Sequence, residues 1–300
     1  MTSLSATTAA QFLGEELSAA ENDAATALFE VIPCGLEKTV SYGSGTAAGP
    51  AAIIAASHQL ERLIDGDEPC RHGLYTQPQI DTAVPIEKVL DSLRERVAAC
   101  VARGHIPVTL GGEHSLTYGA VMGLKNSLQA PFGILQIDAH ADLRTAYQGE
   151  PHSHASVMQL CCEAGIPLYQ LGVRALCTEE VEARTRYGVG YRDAAELVRQ
   201  NTAFIDLPDG FPDQIYISFD LDGLDPSILP ATGTPVPGGL GFYQAVDLVS
   251  SACAGRRIVG MDVVELAPSP AQPASDFTAA LITYHLISAA VRDRRPLGKP

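Results

Sequence analysis

Basic charge is what this chain most conspicuously lacks. Twenty Lys and Arg stand against 35 Asp and Glu in 300 residues, a formal charge of −15. Phosphate backbones are gripped by basic stripes, so nucleic acid is excluded as a partner. A field of this sign attracts a small cationic substrate, although most such charges serve solubility. Long apolar runs are also missing. None reaches the roughly 18 residues of a membrane span, which argues against a membrane partner. No basic residue precedes Lys38, so the start lacks the charged region of a secretory signal. Seven cysteines contain no Cys-x-x-Cys pair. An odd count without metal spacing predicts reduced thiols and a cytoplasmic protein. The Gly-rich stretch Thr39-Val40-Ser41-Tyr42-Gly43-Ser44-Gly45-Thr46 lacks the Gly-Lys-Ser/Thr ending of a phosphate loop. Internal repeats and low-complexity linkers are absent.

What is present centres on Asp138-Ala139-His140-Ala141-Asp142. Extended backbone sends alternate side chains to one side, so these three can converge. The preceding Phe132-Gly133-Ile134-Leu135 reads as a buried strand running into the cluster. Carboxylates at the end of an apolar strand need compensation, from a metal ion or from loop hydrogen bonds.

Length and a 46% apolar composition suit one large α/β domain. Residues 1–23 read as a peripheral extension with a short helix near Gln11-Phe12-Leu13-Gly14, and 24–300 as the main domain. Apolar runs predict strands over 27–33, 106–110, 132–135, 168–173, 215–219 and 257–264. Three- and four-residue periodicity predicts helices over 50–65 and 86–103. Pro50 is suited to the first turn of its helix. Further helices are expected after Ser115, placed to cap one, and from Ala155, over 178–187, 191–201, about 242–254 and 276–293. Residues 66–84 read as irregular. Strands alternating with helices predict a parallel sheet covered on both faces, with ligands bound beyond the strands' carboxyl ends.

Four strand ends carry ionisable residues: His114, the Asp138/His140/Asp142 cluster, Asp220/Asp222 and Glu265. His114 alone could be a histidine of a capping region. Taken together, four Asp and two His fit two divalent ions about 3.5–4 Å apart. Four carboxylates balance two dications. Oxygen-rich ligation with some imidazole favours Mn²⁺ over Zn²⁺. A water shared by two such ions ionises near neutrality and becomes a strong nucleophile.

Gly-Gly-Glu-His-Ser at 111–115, Asp-Ala-His-Ala-Asp at 138–142, Ser-His-Ala-Ser at 153–156 and Ser-Phe-Asp-Leu-Asp-Gly-Leu-Asp-Pro at 218–226 together resemble the ureohydrolase family of arginases and agmatinases. The match runs over about 26–293, in the family's motif order. The resemblance implies a single-domain three-layer α/β/α fold, an arginase-like sheet of about eight mostly parallel strands, and two Mn²⁺ per subunit. One ion would take His114, Asp138, Asp142 and Asp220; the other would take Asp138, His140, Asp220 and Asp222. His154 matches the proton-shuttling histidine, with His152 as its local competitor. Glu265 matches the carboxylate that meets the guanidinium. Thr234 is a candidate contact to substrate or to a ligand. Asp225, Asp262 and Glu113 are expected to be structural or to support the ligands. Relatives form trimers or hexamers, so a homo-oligomer is expected.

The resemblance predicts hydrolysis of a guanidino group to urea and an amine. Arginases carry Asn two residues beyond the Asp-x-His-x-Asp motif, in a loop that reads the α-carboxylate. Here the residue is Arg144, and the Asp-Leu-Arg continuation is similar to agmatinases. Agmatine is therefore the first expectation. Next come guanidinobutyrate, guanidinopropionate and guanidine, since Arg144 could bind a carboxylate or form a loop salt bridge; arginine comes last. A silent binding relative would have lost a ligand, and none of the six is missing. Deacetylase-type amide hydrolysis is disfavoured by the Asp-x-Asp pair.

Overall fold

The computed structural model describes residues 10–292. Among them, eight strands form one sheet in the order β2-β1-β3-β8-β7-β4-β5-β6. The strands are β1 (Phe29–Cys34), β2 (Leu74–Thr76), β3 (Ile106–Gly111), β4 (Phe132–Ile137), β5 (Leu168–Leu171), β6 (Gly190–Arg192), β7 (Gln214–Asp220) and β8 (Arg257–Val264). Every pairing is parallel. The expected single sheet of about eight parallel strands is therefore the observed one.

Period-two alternation divides the core between the two faces of the sheet. Phe29 and Val31 of β1, and Ile215, Ile217 and Phe219 of β7, point into one apolar layer. That layer holds α1 (Gly49–Ser57), α7 (Phe242–Ala252) and α8 (Pro273–Arg292). Ile32 and Cys34 of β1, and Tyr216 of β7, point into the other. There α2 (Ile86–Ala102), α3 (Thr117–Ser127) and α4 (Val157–Glu163) pack. α8 has the length and mean hydropathy of a membrane span, yet 72% of its 18-residue apolar stretch is buried in the protein. It is a core helix. None of the seven cysteines forms a disulfide.

Several boundaries differ from expectation. The described part of the N-terminal segment is packed into the body, because Phe12 and Leu13 are fully buried. The Leu13 amide donates to Ser57 Oγ at 2.8 Å, and Glu21 pairs with Arg62 at 2.6 Å. Residues 1–9 and 293–300, including the end of the last expected helix, lie outside the described residues. Pro50 does stand in the first turn of α1, but that helix stops at Ser57. The apolar pattern beyond it, through Leu60, Leu63 and Ile64, is split: Leu60 and Ile64 are buried while Leu63 is 62% exposed. The irregular stretch 66–84 contains the edge strand β2. The helix expected over 191–201 is instead β6 followed by α6 (Ala194–Arg199). Two further segments hold as helices, the run after 155 as α4 and 178–187 as α5 (Thr178–Tyr187).

Candidate metal centre

The four adjacent central strands β3, β8, β7 and β4 all end on one side of the molecule. At or just beyond those ends lie His114, Glu265, Asp220 with Asp222, and Asp138 with His140 and Asp142. Residues 24 to 151 positions apart in sequence thus become neighbours. Close packing holds them there. A Cβ at Gly112 would run into the Leu36 carbonyl, so only glycine lets the chain turn before Glu113 and His114. Asp142 and Glu265 adopt left-handed backbone, with φ of 52° and 67°. Non-glycine residues seldom do so, and here the conformation re-aims a carboxylate.

Two ligand groups emerge. His114 Nδ1 lies 3.1, 2.9 and 3.3 Å from oxygens of Asp138, Asp142 and Asp220. His140 Nδ1 lies 3.0 Å from Asp222 and 3.5 Å from the other oxygen of Asp138. Asp138 thus belongs to both. All of these but His140 are buried. Backbone amides fix the carboxylates: His140 N donates to Asp138 Oδ1 at 2.6 Å, Ala139 N to Asp222 Oδ1 at 3.0 Å, and Asp222 N to Asp220 Oδ1 at 2.8 Å. The Asp142 carbonyl accepts the Met158 and Gln159 amides that open α4, anchoring the motif to that helix.

The His114 nitrogen tests whether a metal fits. Buried and ringed by three carboxylate oxygens, Nδ1 has none of them aligned for a hydrogen bond. A buried polar atom without a partner is costly, and a cation at the focus of these atoms would satisfy all four. The far side of the ring is settled: Nε2 lies 2.8 Å from Ser218 Oγ, and Ser218 donates to Asp262 Oδ1 at 2.8 Å. Ser218 has one proton and gives it to the carboxylate, so Nε2 carries its own and Nδ1 is a lone pair facing inward. The donor set of hard oxygens and imidazoles suits Mn²⁺.

Electrostatics agree. Burial, then the charge of Asp138, pushes Asp142 up to about 7. Burial and the neighbouring Asp222 and Asp138 raise Asp220 well above the usual carboxylate range. Burial alone would lower the His140 imidazole, but Asp138 and Asp222 carry it up to about 12. The cluster thus calls for positive charge, which two divalent ions supply.

Other expected site residues lie around it. Glu265 Oε1 accepts the His114 amide at 2.7 Å, and burial lifts its carboxyl to about 8. His154, half-buried, lines the same small cavity as Glu265, His114 and Asp222. His152 pairs loosely with Glu150 at 3.7 Å and is not among the cavity residues. Thr234 Oγ1 donates to Asp222 Oδ2 at 3.3 Å. An outer cavity of about 440 Å³ continues toward solvent, lined by Arg144, Tyr147, His154, Cys177, Glu180 and Thr234. The Arg144 guanidinium stands 5.6 Å from the centre of the Tyr147 ring. Ser115 does not cap α3; its hydroxyl donates to Glu113. Asp225 binds the loop amides of Ser227, Gly238 and Gly239.

Asp262 has the supporting role expected of it, and sequence reasoning missed two further supports, Gln136 and Arg174. Asp262 accepts Ser218, Tyr216 and Thr117 hydroxyls at once. Gln136 Nε2 donates to Asp138 Oδ2 at 2.7 Å and is itself held by Gln170. Arg174 donates to the carbonyls of Asp222, Gly223, Leu224, Gly172 and Val236, pinning the loop that carries Asp222. Only Gln136 gave a sequence signal, a polar residue in an apolar strand.

A family model described as the arginase family matches residues 27–289. The N(1)-aminopropylagmatine ureohydrolase of Synechocystis sp. is 33% identical over 289 residues, covering 92% of both chains. The agmatinase of Pyrococcus horikoshii is 32% identical over 259 residues, 85% of this chain and 89% of that one. The agmatine ureohydrolase structure of Thermoplasma volcanium superposes with a TM-score of 0.79 at 26% identity, covering 95% of each chain.

Proposed function

The chain belongs to the arginase family, and on that footing we propose that it hydrolyses a carboxylate-free polyamine guanidine to urea and an amine. The substrate is N(1)-aminopropylagmatine or agmatine, and the site would hold two Mn²⁺ ions. One observation carries the reading. Five metal-type side chains (His114, His140, Asp142, Asp220 and Asp222), a buried carboxylate at Glu265 and the imidazole of His154 line a single small cavity, with Asp138 against His114 and His140. That is the set a guanidinium hydrolase requires: a cation binder, a site for two dications and a proton donor.

The metal pair, when bound, supplies Lewis acidity and a nucleophile from water at neutral pH. His114, Asp138, Asp142 and Asp220 would hold one ion, and Asp138, His140, Asp220 and Asp222 the other. Glu265 binds the guanidinium. Its carboxyl is raised by burial, and an arriving cation favours its ionised form, so binding and charge neutralisation reinforce one another. Thr234 steadies Asp222. As water adds to the guanidino carbon, the bond to the leaving nitrogen breaks and His154 delivers a proton to that nitrogen. The products are urea and the free amine. Burial lowers the His154 imidazole below its usual value, which makes its protonated form a ready donor.

The outer cavity supports the longer of the two substrates, since about 440 Å³ accommodates an aminopropyl arm beyond the guanidino end. The relative from Synechocystis sp. is named for that compound. Agmatine is favoured by the agmatinase relative. Urea release with Mn²⁺ from N(1)-aminopropylagmatine, agmatine, 4-guanidinobutyrate and arginine tests the reading. We expect the two carboxylate-free guanidines to be preferred, the aminopropyl compound with the higher kcat/KM. Preference for 4-guanidinobutyrate would overturn the substrate and assign Arg144 as a carboxylate reader. Urea from none of them would overturn the activity.

A further inference from the structure

Glu113 and Thr39 stand behind His154. Glu113 is fully buried, in the Gly-Gly-Glu-His-Ser turn beyond β3. Four donors converge on its two oxygens. The Lys38 and Thr39 amides each lie 2.6 Å from Oε2, while the Thr39 hydroxyl at 3.0 Å and the Ser115 hydroxyl at 2.6 Å reach Oε1. The same Thr39 oxygen lies 3.1 Å from His154 Nδ1 and 3.1 Å from the His154 amide. We infer that Glu113, Thr39 and His154 form a hydrogen-bonded relay in which Thr39 is a positioning residue, holding the His154 ring and fixing its tautomer.

Proton counting gives the direction. A carboxylate can only accept, so Thr39 donates its single hydroxyl proton to Glu113. Its lone pairs then face His154, which must donate from both its amide and Nδ1. The neutral ring is therefore the Nδ1–H form, and Nε2 is the atom that takes up and delivers the catalytic proton. Tyr147 packs edge-on against the same ring, 5.6 Å between centres, and limits its rotation. A threonine thus does for this histidine what a buried carboxylate does directly in other acid–base sites. Glu113 serves two ends, since its neighbour His114 is a ligand while its side chain reaches the proton donor.

This relay rests on the role proposed above for His154, and its test separates the two. The tautomer is read in the full chain by ¹⁵N NMR of labelled histidine, with Mg²⁺ in place of paramagnetic Mn²⁺ and His154→Ala used to assign the signal. Wild type should show Nδ1–H, against the intrinsic preference of imidazole for Nε2–H. Thr39→Val, nearly isosteric, should revert His154 toward Nε2–H. It should also lower kcat about tenfold to a hundredfold with KM little changed and the acid limb of the kcat–pH profile displaced. Thr39→Ser should restore both the tautomer and most of the rate. An Nε2–H signal in wild type, or equal kcat in wild type and Thr39→Val, overturns the relay. An intact Nδ1–H signal that Thr39→Val abolishes supports it even in a chain that releases no urea, which would instead refute the activity.

Discussion

His114 Nε2 lies 2.8 Å from the hydroxyl of Ser218, two residues before the proposed ligand Asp220 in the same strand. One strand therefore supplies one proposed ligand and also orients another, His114, beyond the end of a different strand. Ser218 passes the contact to Asp262, which Tyr216 and Thr117 also hold. Replacing Ser218 with Ala frees the ring to turn and removes the group that keeps Nδ1 unprotonated. We expect Mn²⁺ affinity to fall roughly 10- to 100-fold, with the fold intact. Metal titration followed by calorimetry checks this; unchanged affinity would sink the orienting role.

Metal removal should act on stability as well as on rate. Buried carboxylates at Asp138, Asp142, Asp220 and Asp222 repel one another without intervening cations. Ligands that bind only the folded state stabilise it by mass action. Chelation with EDTA should lower Tm by roughly 5 °C or more, and added Mn²⁺ should reverse the change. A Tm indifferent to both would argue against the two-ion site.

Arg174 invites a conservative test. Its guanidinium forks across five carbonyls, among them that of Asp222. Lysine keeps the charge but offers no planar fork. Arg174→Lys should cost roughly 3 kcal/mol of stability by leaving buried carbonyls unpaired. Denaturant unfolding measures it, and a loss below about 1 kcal/mol would show the loop to be held by other means.

Acid stability should be set partly at Glu21. Its hydrogen bond to Arg62 outweighs burial and holds its carboxyl down to about 2, from an ordinary 4.5. The unfolded chain thus binds the proton more readily, so this pair stabilises the fold above about pH 4.5 and loses its contribution as pH falls toward 2. Glu21→Gln should lower Tm at neutral pH and flatten its decline across that window. Parallel Tm–pH curves for the two proteins would contradict the assignment.

Glu265→Gln should separate binding from folding. The amide keeps the shape and an oxygen to accept the His114 amide, and it cannot ionise in the buried site, so Tm should hold or rise. Activity on cationic guanidines should drop on the order of a hundredfold in kcat/KM, because the charge-assisted pair with the guanidinium is lost. Full activity in this variant would exclude Glu265 as the guanidinium binder.

Chemistry that depends on spacing could be read from the sequence. Asp138, His140 and Asp142 alternate at the end of an apolar run, and Asp220 and Asp222 do the same. Buried parallel strands such as β4 and β7 announce themselves as continuous apolar stretches, because both faces of the sheet are covered. Short edge elements gave no such sign. β6 is three residues, Gly190-Tyr191-Arg192, none of them buried, and the neighbouring α6 lent it helical periodicity. The N-terminal segment looked peripheral because two buried residues, Phe12 and Leu13, make no periodic pattern.

The amino-acid order by itself determined which side chains end each strand, and so the kinds of ligand available. Only the folded sheet decided that β3, β8, β7 and β4 lie side by side, because strand order depends on where crossover helices pack and not on local residue preference. The contacts of Thr39 with His154, Ser218 with His114 and Arg174 with five carbonyls join residues with no shared pattern. They are set by close packing across loops, where one hydrogen bond depends on the position of atoms dozens of residues away.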